Sequence, residues 1–413
     1  MRRILIVVMI GIMLAAVSAC TGTTTDVAAT SQQTEAQQDV SEEEPAQEET
    51  ATEADTQITL SDDGGQIDGD GATQDGSTVQ ITKGGTYRIT GTLSDGSIVV
   101  SAPGEDITLL LAGTSISNTS GPAILVQDAQ NATITLEDGT ENNLSDGGDS
   151  DYDAALYGVV SLTINGNGAL NVLGNVEEGI ASDGNVTIDS GSINIESKDD
   201  GINASEDGVS EIFINGGNIT INAGGDGIDS NGAMTITGGI IVSSGAVSDA
   251  NGGLDADGTV TLSGGVVLAT GANNAIPTEG AQKFISVGFD NAQAAGSTIS
   301  IMRDGKELFS AQIPQTYQSV LYSDAVLAEG VTYDFYIDGE LIASTDTQSV
   351  SGGMGGPGGM GANGEPPEIP DGEMPEGMPE PPEGEMPEMD GERPQIPTDG
   401  ERPDGQPPTE DAA

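Results

Sequence analysis

The chain has 413 residues, with 10 Lys and Arg against 67 Asp and Glu, a formal net charge of −57, and neither histidine nor tryptophan. This balance disfavours a nucleic-acid partner, whose phosphates would be repelled, and favours cations or neutral partners. The lack of histidine excludes catalysis through that side chain.

The first 20 residues are typical of a lipoprotein signal peptide. Arg2 and Arg3 form a charged n-region, and residues 4–17 form an apolar core. Cys20 is the single cysteine of the chain, and only Ser18 and Ala19 separate it from that core. This arrangement resembles the lipobox of bacterial lipoproteins. A diacylglyceryl group there would supply the two chains that stable anchoring needs. We therefore predict a protein lipid-anchored on the extracellular face of the bacterial cell membrane, with an ordinary signal peptide as the alternative.

Two segments lack the residues of a folded core. Residues 21–55 are mainly Thr, Gln, Glu, Ala and Ser without aromatics, and residues 351–413 are rich first in Gly and Met and then in Pro, Glu and Met. Such compositions cannot bury enough apolar surface to fold. We predict a disordered tether for the first segment and a disordered acidic tail for the second.

The region between these segments is organised by a repeat. Residues 185–274 contain four copies of an apolar-x-apolar triplet followed by a glycine-centred turn, and the equivalent residues Ile188, Ile214, Ile236 and Leu262 are 26, 22 and 26 positions apart. The alternation indicates strands, and a unit of this length buries its apolar face only by stacking on its neighbours. Weaker copies extend the pattern to about eight rungs, or roughly 40 Å at ~4.8 Å per rung. The predicted fold is all-β, with a parallel β-helix over residues 56–280.

Residues 281–350 differ in composition from the repeat. They contain eight of the twelve aromatic residues of the chain. Asp304-Gly305 lies between two apolar alternating stretches, which is a strong hairpin signal. Because the end of a solenoid must be covered, we predict an antiparallel β cap here, with the aromatics in its core rather than on a sugar-binding platform.

Several segments resemble one family of secreted bacterial proteins. The matching segments are residues 83–98 (KGGTYRITGTLSDGSI), 121–124 (GPAI), 142–146 (NNLSD), 198–202 (KDDGI) and 225–228 (GDGI). That family has a right-handed parallel β-helix similar to that of pectate lyases, carries calcium, and is associated with binding of cellulose and pectic acid. The resemblance covers about residues 56–344 and implies a carbohydrate-binding domain, without specifying the sugar.

Aligning the rungs on their Gly-Ile or Gly-Leu pairs places carboxylates in columns. At ~4.8 Å and an effective dielectric near 20, two adjacent charges repel by roughly 3.5 kcal/mol. Calcium would offset this repulsion, since it takes six to eight oxygen ligands in a flexible arrangement. The alternative is a solvated acidic edge that only blocks aggregation. The predicted metal ligands are Glu178, Asp199, Asp200, Asn203, Asp226, Asp229, Asp255 and Asp257.

One position in these columns conflicts with strand alternation. Strict alternation turns Asp200 inward beside Ile202. We therefore expect Gly201 to bend the strand so that Asp200 reaches solvent.

A second acidic cluster is predicted in an insertion. Asp149, Asp151 and Asp153 alternate as in calcium loops, but the segment lacks the glycine and glutamate that an EF-hand loop requires. A loop calcium site and a plain polar loop remain as alternatives. Tyr152 and Tyr157 flank the cluster and are candidate sugar-stacking residues.

A lyase of the pectate type would need calcium and a strong base. Lys198 is the only basic residue between Arg88 and Lys283, and it is followed by Asp199 and Asp200. Either Lys198 is that base, or it is a counter-ion within a dense acidic field that favours the ammonium form. Lys198 is also a candidate carbohydrate-binding residue. We predict a monomeric, calcium-stabilised domain that binds polysaccharide without catalysis. A calcium-dependent polysaccharide lyase and a structural surface solenoid are the alternatives.

Overall fold

The computed structural model describes residues 54–62, 65–148 and 150–347. The predicted signal peptide, most of the predicted tether and the acidic tail lie outside these residues. Within the described ranges nearly all regular structure is β-strand, and the exception is a short 3-10 turn at Ser248–Ala250. No helix formed by these residues has the length and apolar character needed to span a membrane.

The strands of the first rungs are β1 Thr56–Leu60, β2 Gln66–Asp68, β3 Ala72–Asp75, β4 Thr78–Ile81, β5 Gly85–Leu93, β6 Ser97–Ser101, β7 Asp106–Ser117, β8 Ile124–Asp128, β9 Asn131–Leu136 and β10 Glu141–Ser145. The middle strands are β11 Ala154–Gly158, β12 Leu162–Gly166, β13 Ala169–Gly174, β14 Glu178–Ser182, β15 Val186–Ile188, β16 Ser192–Ser197, β17 Ile202–Ala204, β18 Ile212–Ile214, β19 Asn218–Ala223 and β20 Ile228–Ser230. The last strands are β21 Met234–Ile236, β22 Ile240–Ser244, β23 Asp255–Ala256, β24 Val260–Leu262, β25 Val266–Gly271, β26 Phe284–Gln293, β27 Thr298–Arg303, β28 Lys306–Gln312, β29 Tyr317–Ser323, β30 Thr332–Ile337 and β31 Glu340–Asp346.

From β8 to β25 the chain adds one strand in turn to each of three parallel faces. The first face, here the acidic sheet, stacks β4, β6, β8, β11, β14, β17, β20 and β23. The second, the threonine sheet, stacks β5, β7, β9, β12, β15, β18, β21 and β24. The third, the asparagine sheet, stacks β10, β13, β16, β19, β22 and β25. This β-solenoid of about seven turns confirms the predicted parallel β-helix.

The core lies between the three faces. In the shortest strands the first and third residues are buried and the middle one faces outward, as in β15, where Val186 and Ile188 are fully buried and Thr187 is not. One continuous apolar cluster runs from the first rung to Leu262 and Val267. Because each rung contributes the same inward positions, the outward positions are free to vary in chemistry without loss of the core.

Both ends of the solenoid are covered by antiparallel strands. At the N-terminal end β2 pairs with β1 and β3 pairs with β4, which the sequence did not predict. At the C-terminal end β29 pairs with β25 and β26, and a four-stranded sheet of β28, β27, β30 and β31 follows.

The C-terminal cap confirms the prediction made from its composition. Asp304 and Gly305 form the β27–β28 turn with φ of 51° and 75°, as its hairpin signal indicates. Tyr317, Tyr322 and Tyr333 are buried in the core of the cap.

Candidate functional site

The acidic sheet aligns the polar residues of successive rungs. Asn203 on β17 lies opposite Ala181 and Asp229, and Asp229 on β20 lies opposite Asp255. The residues that precede the strands stack as well, since the N–H of Gly201 donates to the carbonyl of Asp226 at 2.9 Å. The register derived from the Gly-Ile pairs is therefore present in the structure.

Asp200 does not reach solvent, so that expectation was wrong. Its side chain is only 9% exposed. Its Oδ1 accepts a hydrogen bond from the N–H of Asp226 at 2.7 Å, and its Oδ2 accepts one from Asn203 Nδ2 at 2.9 Å. Gly201 does not turn the strand outward. It permits close stacking instead, because a Cβ there would collide with the Ile221 side chain and the carbonyl of Gly227.

The next rung repeats this arrangement. Asp226 Oδ1 accepts the N–H of Gly252 at 2.5 Å, and Asn203 Nδ2 lies 3.4 Å from Asp229 Oδ2. Burial, followed by the charge of Asp200, raises the pKa of both Asp226 and Asp229 to about 7. The Oδ1 of Asn203 is buried and has no hydrogen-bond partner among the described residues. Oxygen atoms thus converge here without enough donors to satisfy them.

A second group of carboxylates lies where strands β11 and β14 of the same sheet begin. Oxygen atoms of Asp153, Glu177 and Glu178 all lie within 4.8 Å of one another. Burial, followed by the charge of Asp153, raises the pKa of Glu178 to about 9, and its Oε2 is buried with no partner within the described part of the chain. The sequence analysis predicted Asp153 and Glu178 as metal ligands but not Glu177, although Glu177 directly precedes Glu178.

The insertion contributes differently from the prediction. Asp149 lies outside the described residues, and Asp151 is exposed and is not part of the group around Asp153. Asp146, which the sequence did not select, is 4% exposed. Its Oδ1 accepts the N–H of Asn175 at 2.6 Å, whereas its Oδ2 is unpaired in the ranges that the structure describes. Burial raises the pKa of Asp146.

The two tyrosines predicted to contact sugar do lie together. The Tyr152 and Tyr157 ring centroids are 5.1 Å apart, with the planes inclined at 59°. Tyr157 lies in the column that continues through Ala181 to Asn203, and its hydroxyl donates to Asp183 Oδ1 at 2.6 Å. Burial raises the pKa of Tyr157, and the Asp183 carboxylate raises it further.

The remaining candidates lie at the edge of the acidic sheet. Lys198, Asp199, Asp255 and Asp257 are exposed. Lys198 forms no ion pair within the described residues. The sheet thus has a buried acidic interior, an exposed acidic rim and one free ammonium, an arrangement suited to a hard cation with many oxygen ligands.

Comparison with known proteins gives three findings. A family model described as "Carbohydrate-binding domain-containing protein" matches residues 75–354. A relative of the same description from Acetivibrio thermocellus is 35% identical over 122 residues, which are 27% of this chain and 43% of the relative, so the match spans less than half of that relative's length. A solved structure described as the polysaccharide lyase-like protein from C. thermocellum, in a gadolinium derivative, matches with a TM-score of 0.43 and 30% identity over 51% of this chain and 92% of that one.

Proposed function

Because the chain belongs to the family of carbohydrate-binding domain-containing proteins, we propose that it binds polysaccharide of the cellulose or pectic type without catalysis. The observation that carries the proposal is the acidic sheet. Its buried carboxylates at Asp200, Asp226 and Asp229 lie on successive rungs and leave an oxygen of Asn203 unpaired. The repulsion within a column of this kind is offset either by protons or by a bound cation.

Calcium is the ion that these residues fit best. The donor set consists of carboxylate and amide oxygens, which hard cations prefer, and the chain contains no histidine. Asn203 Oδ1 and Glu178 Oε2, both buried and unpaired within the described residues, supply free ligand atoms. We assign Asp200, Asn203, Asp226 and Asp229 to one calcium-binding group, with Asp199, Asp255 and Asp257 at its rim and Asp153, Glu177 and Glu178 forming a neighbouring group. Bound calcium would supply positive charge that the acidic residues and an acidic sugar can share.

The charge of the protein sets the binding mode for acidic sugars. A chain with a formal net charge of −57 repels a pectic polymer, whose uronate groups are also negative. Pectic binding on the acidic sheet therefore requires calcium as a bridge. The pair Tyr152 and Tyr157 offers aromatic surface on the same sheet for a sugar ring, and Lys198 offers an exposed ammonium at the edge of that sheet.

The test is a pull-down of the purified protein on cellulose and on polygalacturonate, each with calcium and with excess chelator. We expect calcium-dependent binding to polygalacturonate, and loss of that binding in Asp200→Asn with Asp226→Asn. The matched control is Glu105→Gln with Asp138→Asn, which removes the same charge from two exposed positions. Equal polygalacturonate binding in chelator overturns the calcium bridge, and failure to bind either polymer overturns the proposed function.

A polysaccharide lyase is the competing function. Elimination needs a base near the calcium group, and Lys198 is the one basic side chain between Arg88 and Lys283. Lys198 is exposed and is followed by the exposed Asp199, so it is not held in an enclosed site beside the buried carboxylates. We expect no unsaturated uronide from polygalacturonate with or without calcium. Unsaturated product that disappears in Lys198→Gln would establish the lyase instead.

The proposed location follows from Cys20, which lies outside the described residues. We infer that Cys20 is lipidated and holds a monomeric domain at the outer face of the cell membrane. Cys20→Ser should then leave the protein unlipidated and absent from the membrane fraction. Unchanged partitioning of Cys20→Ser into a detergent phase would contradict the anchor.

A further inference from the structure

The outer face of the threonine sheet has a regular composition that the proposed calcium groups do not use. Its outward positions in register are Thr86, Thr108, Thr133, Thr163, Thr187, Phe213, Thr235 and Thr261. All eight side chains are partly exposed. Adjacent strands are ~4.8 Å apart, so the row from β9 to β24 extends over roughly 24 Å.

The threonine hydroxyls of this row are free. Within the described residues none of them forms a hydrogen bond to another protein group. The neighbouring row behaves differently, since Thr135 bonds Asn165 at 2.8 Å, Asn215 bonds Asp189 at 2.8 Å, and Thr237 bonds Asn215 at 2.8 Å. One row therefore satisfies itself, whereas the other presents donors and acceptors to whatever lies on the sheet.

The strands in the middle of this row lack the charges that mark the acidic sheet. Strands β9, β12, β15, β18, β21 and β24 contain no charged residue. Charged residues directly adjoin these strands at Glu137, Asp189 and Glu211, and Glu279 lies opposite Thr261 at the end of the row. An uncharged partner can approach this face without the repulsion that the acidic sheet imposes.

Phe213 interrupts the row of threonines. It lies between Thr187 and Thr235 in register and points outward, while Ile212 and Ile214 on either side of it are fully buried. A phenylalanine at an outward position contributes nothing to the core. Its partly exposed ring offers apolar surface to a pyranose ring, with threonines on the neighbouring rungs on both sides.

We propose that this face is a second binding surface, separate from the acidic sheet, on which a neutral polysaccharide chain lies along the solenoid axis. Phe213 packs against the apolar face of one sugar ring, and the threonine hydroxyls bond the hydroxyls of neighbouring rings. The inference rests on the proposed polysaccharide binding and assigns its neutral ligands to a different face from its acidic ones. Binding here requires no calcium.

The experiment measures binding of the full chain to microcrystalline cellulose and to polygalacturonate with calcium. Phe213→Thr completes the row without disturbing the core, and it should lower cellulose affinity about fivefold or more. A triple variant, Thr163→Val with Thr187→Val and Thr235→Val, removes hydroxyls at constant shape and should lower it further. The control is Ile240→Thr, which changes an exposed apolar residue on the asparagine sheet and should leave both affinities unchanged.

The outcomes separate this inference from the proposed function. Loss of cellulose binding in both threonine-sheet variants, with polygalacturonate binding retained, supports the second surface. Cellulose binding equal to that of the unmodified protein in both variants overturns it and leaves polysaccharide binding intact. Failure of the unmodified protein to bind cellulose, with polygalacturonate still bound, also overturns only this inference, whereas failure to bind both overturns the two together.

Self-association of the unmodified chain that Phe213→Thr abolishes would show that the face pairs with a second copy, and it would overturn the glycan assignment.

Discussion

The acidic sheet and the threonine sheet belong to the same rungs and have opposite surface chemistry. At equivalent outward positions the acidic sheet has Asn203 and Asp229, and the threonine sheet has Thr187 and Thr235. The inward residues of both are fully buried, and most are apolar, with Ser182 and Ser230 as the polar exceptions on the acidic sheet. The solenoid core therefore places no demand on the outward column, and stacking brings the outward residues of successive rungs side by side.

Repetition has opposite energetic consequences on the two sheets. Threonines stacked ~4.8 Å apart form a favourable cross-strand ladder. Carboxylates at that spacing repel, and the protein partly neutralises them, as the raised pKa values of Asp226 and Asp229 indicate. The threonine sheet is stable by itself, whereas the acidic sheet needs protons or a cation.

The largest expected effect comes from the glycine column beneath the acidic residues. In Gly227→Val the new Cβ would collide with Ser243 Oγ and the carbonyl of Gly253, so the rungs must separate. We expect a loss of about 3 kcal/mol in the free energy of unfolding, measured by urea titration. Gly288→Ala is the control, because nothing lies within 4 Å of its added methyl group. A Gly227→Val protein as stable as Gly288→Ala would contradict the close stacking.

Removal of calcium is the next largest effect. An ion that binds only the folded state stabilises it by about 2.7 kcal/mol at one hundred times its dissociation constant. Chelator should therefore lower the melting temperature, and Asp200→Asn with Asp226→Asn should remove most of this dependence while the β-rich fold persists. Thr163→Val on the threonine sheet should keep the full dependence. An unmodified protein that is indifferent to chelator, together with a double variant that is more stable than it, would show that the acidic sheet is only solvated.

In chelator the acidic sheet should also make stability depend on pH. Asp226 and Asp229 have a pKa of about 7 in the folded state, above the ordinary carboxyl value, so the folded state binds more protons than the unfolded state. Their stabilisation is complete below about pH 4 and is lost as the pH rises through about 7.

The measurement is the free energy of unfolding at pH 5 and at pH 8. We expect a fall of roughly 2 kcal/mol, after allowance for the partial solvent contact of both side chains. Calcium should reduce the fall because it favours the ionised groups. The same fall in Asp226→Asn with Asp229→Asn would place its origin elsewhere.

The sequence was sufficient for the fold and for the register of the acidic sheet. The period of Ile188, Ile214, Ile236 and Leu262 reports the stacking directly, since each inward residue contacts its equivalent in the next rung. Strict alternation placed Asp200 inward, and the expected bend at Gly201 was the part that failed. The close stacking of Gly201 on Gly227, which keeps the strand straight, depends on three-dimensional packing that the repeat does not report.

The two features that the sequence missed had different causes. Glu177 meets Asp153 because β11 and β14 pair with Ala154 opposite Glu178, which places the two preceding residues side by side, and the rung alignment had not been extended back to β11. The threonine row was visible in the triplets, where Thr163, Thr187 and Thr235 are central. The row was not predicted as a binding surface because the apolar period identifies the buried residues. A residue that repeats at the outward position does not contribute to that period.

The smallest expected effect is that of Thr187→Val, and its comparison is Asn203→Val at the equivalent position of the acidic sheet. The Thr187 hydroxyl has no partner within the described residues, and valine has the same shape and a high strand propensity, so the free energy of unfolding should change by no more than about 0.5 kcal/mol. Asn203 Nδ2 donates to Asp200 Oδ2 and faces Asp229, so Asn203→Val leaves buried carboxylates with fewer donors and should destabilise by about 1–3 kcal/mol. Urea titration of both variants in calcium measures the difference. Equal losses would mean that the outward columns of the two sheets are energetically alike, and the contrast between a self-sufficient face and an ion-dependent face would then fail.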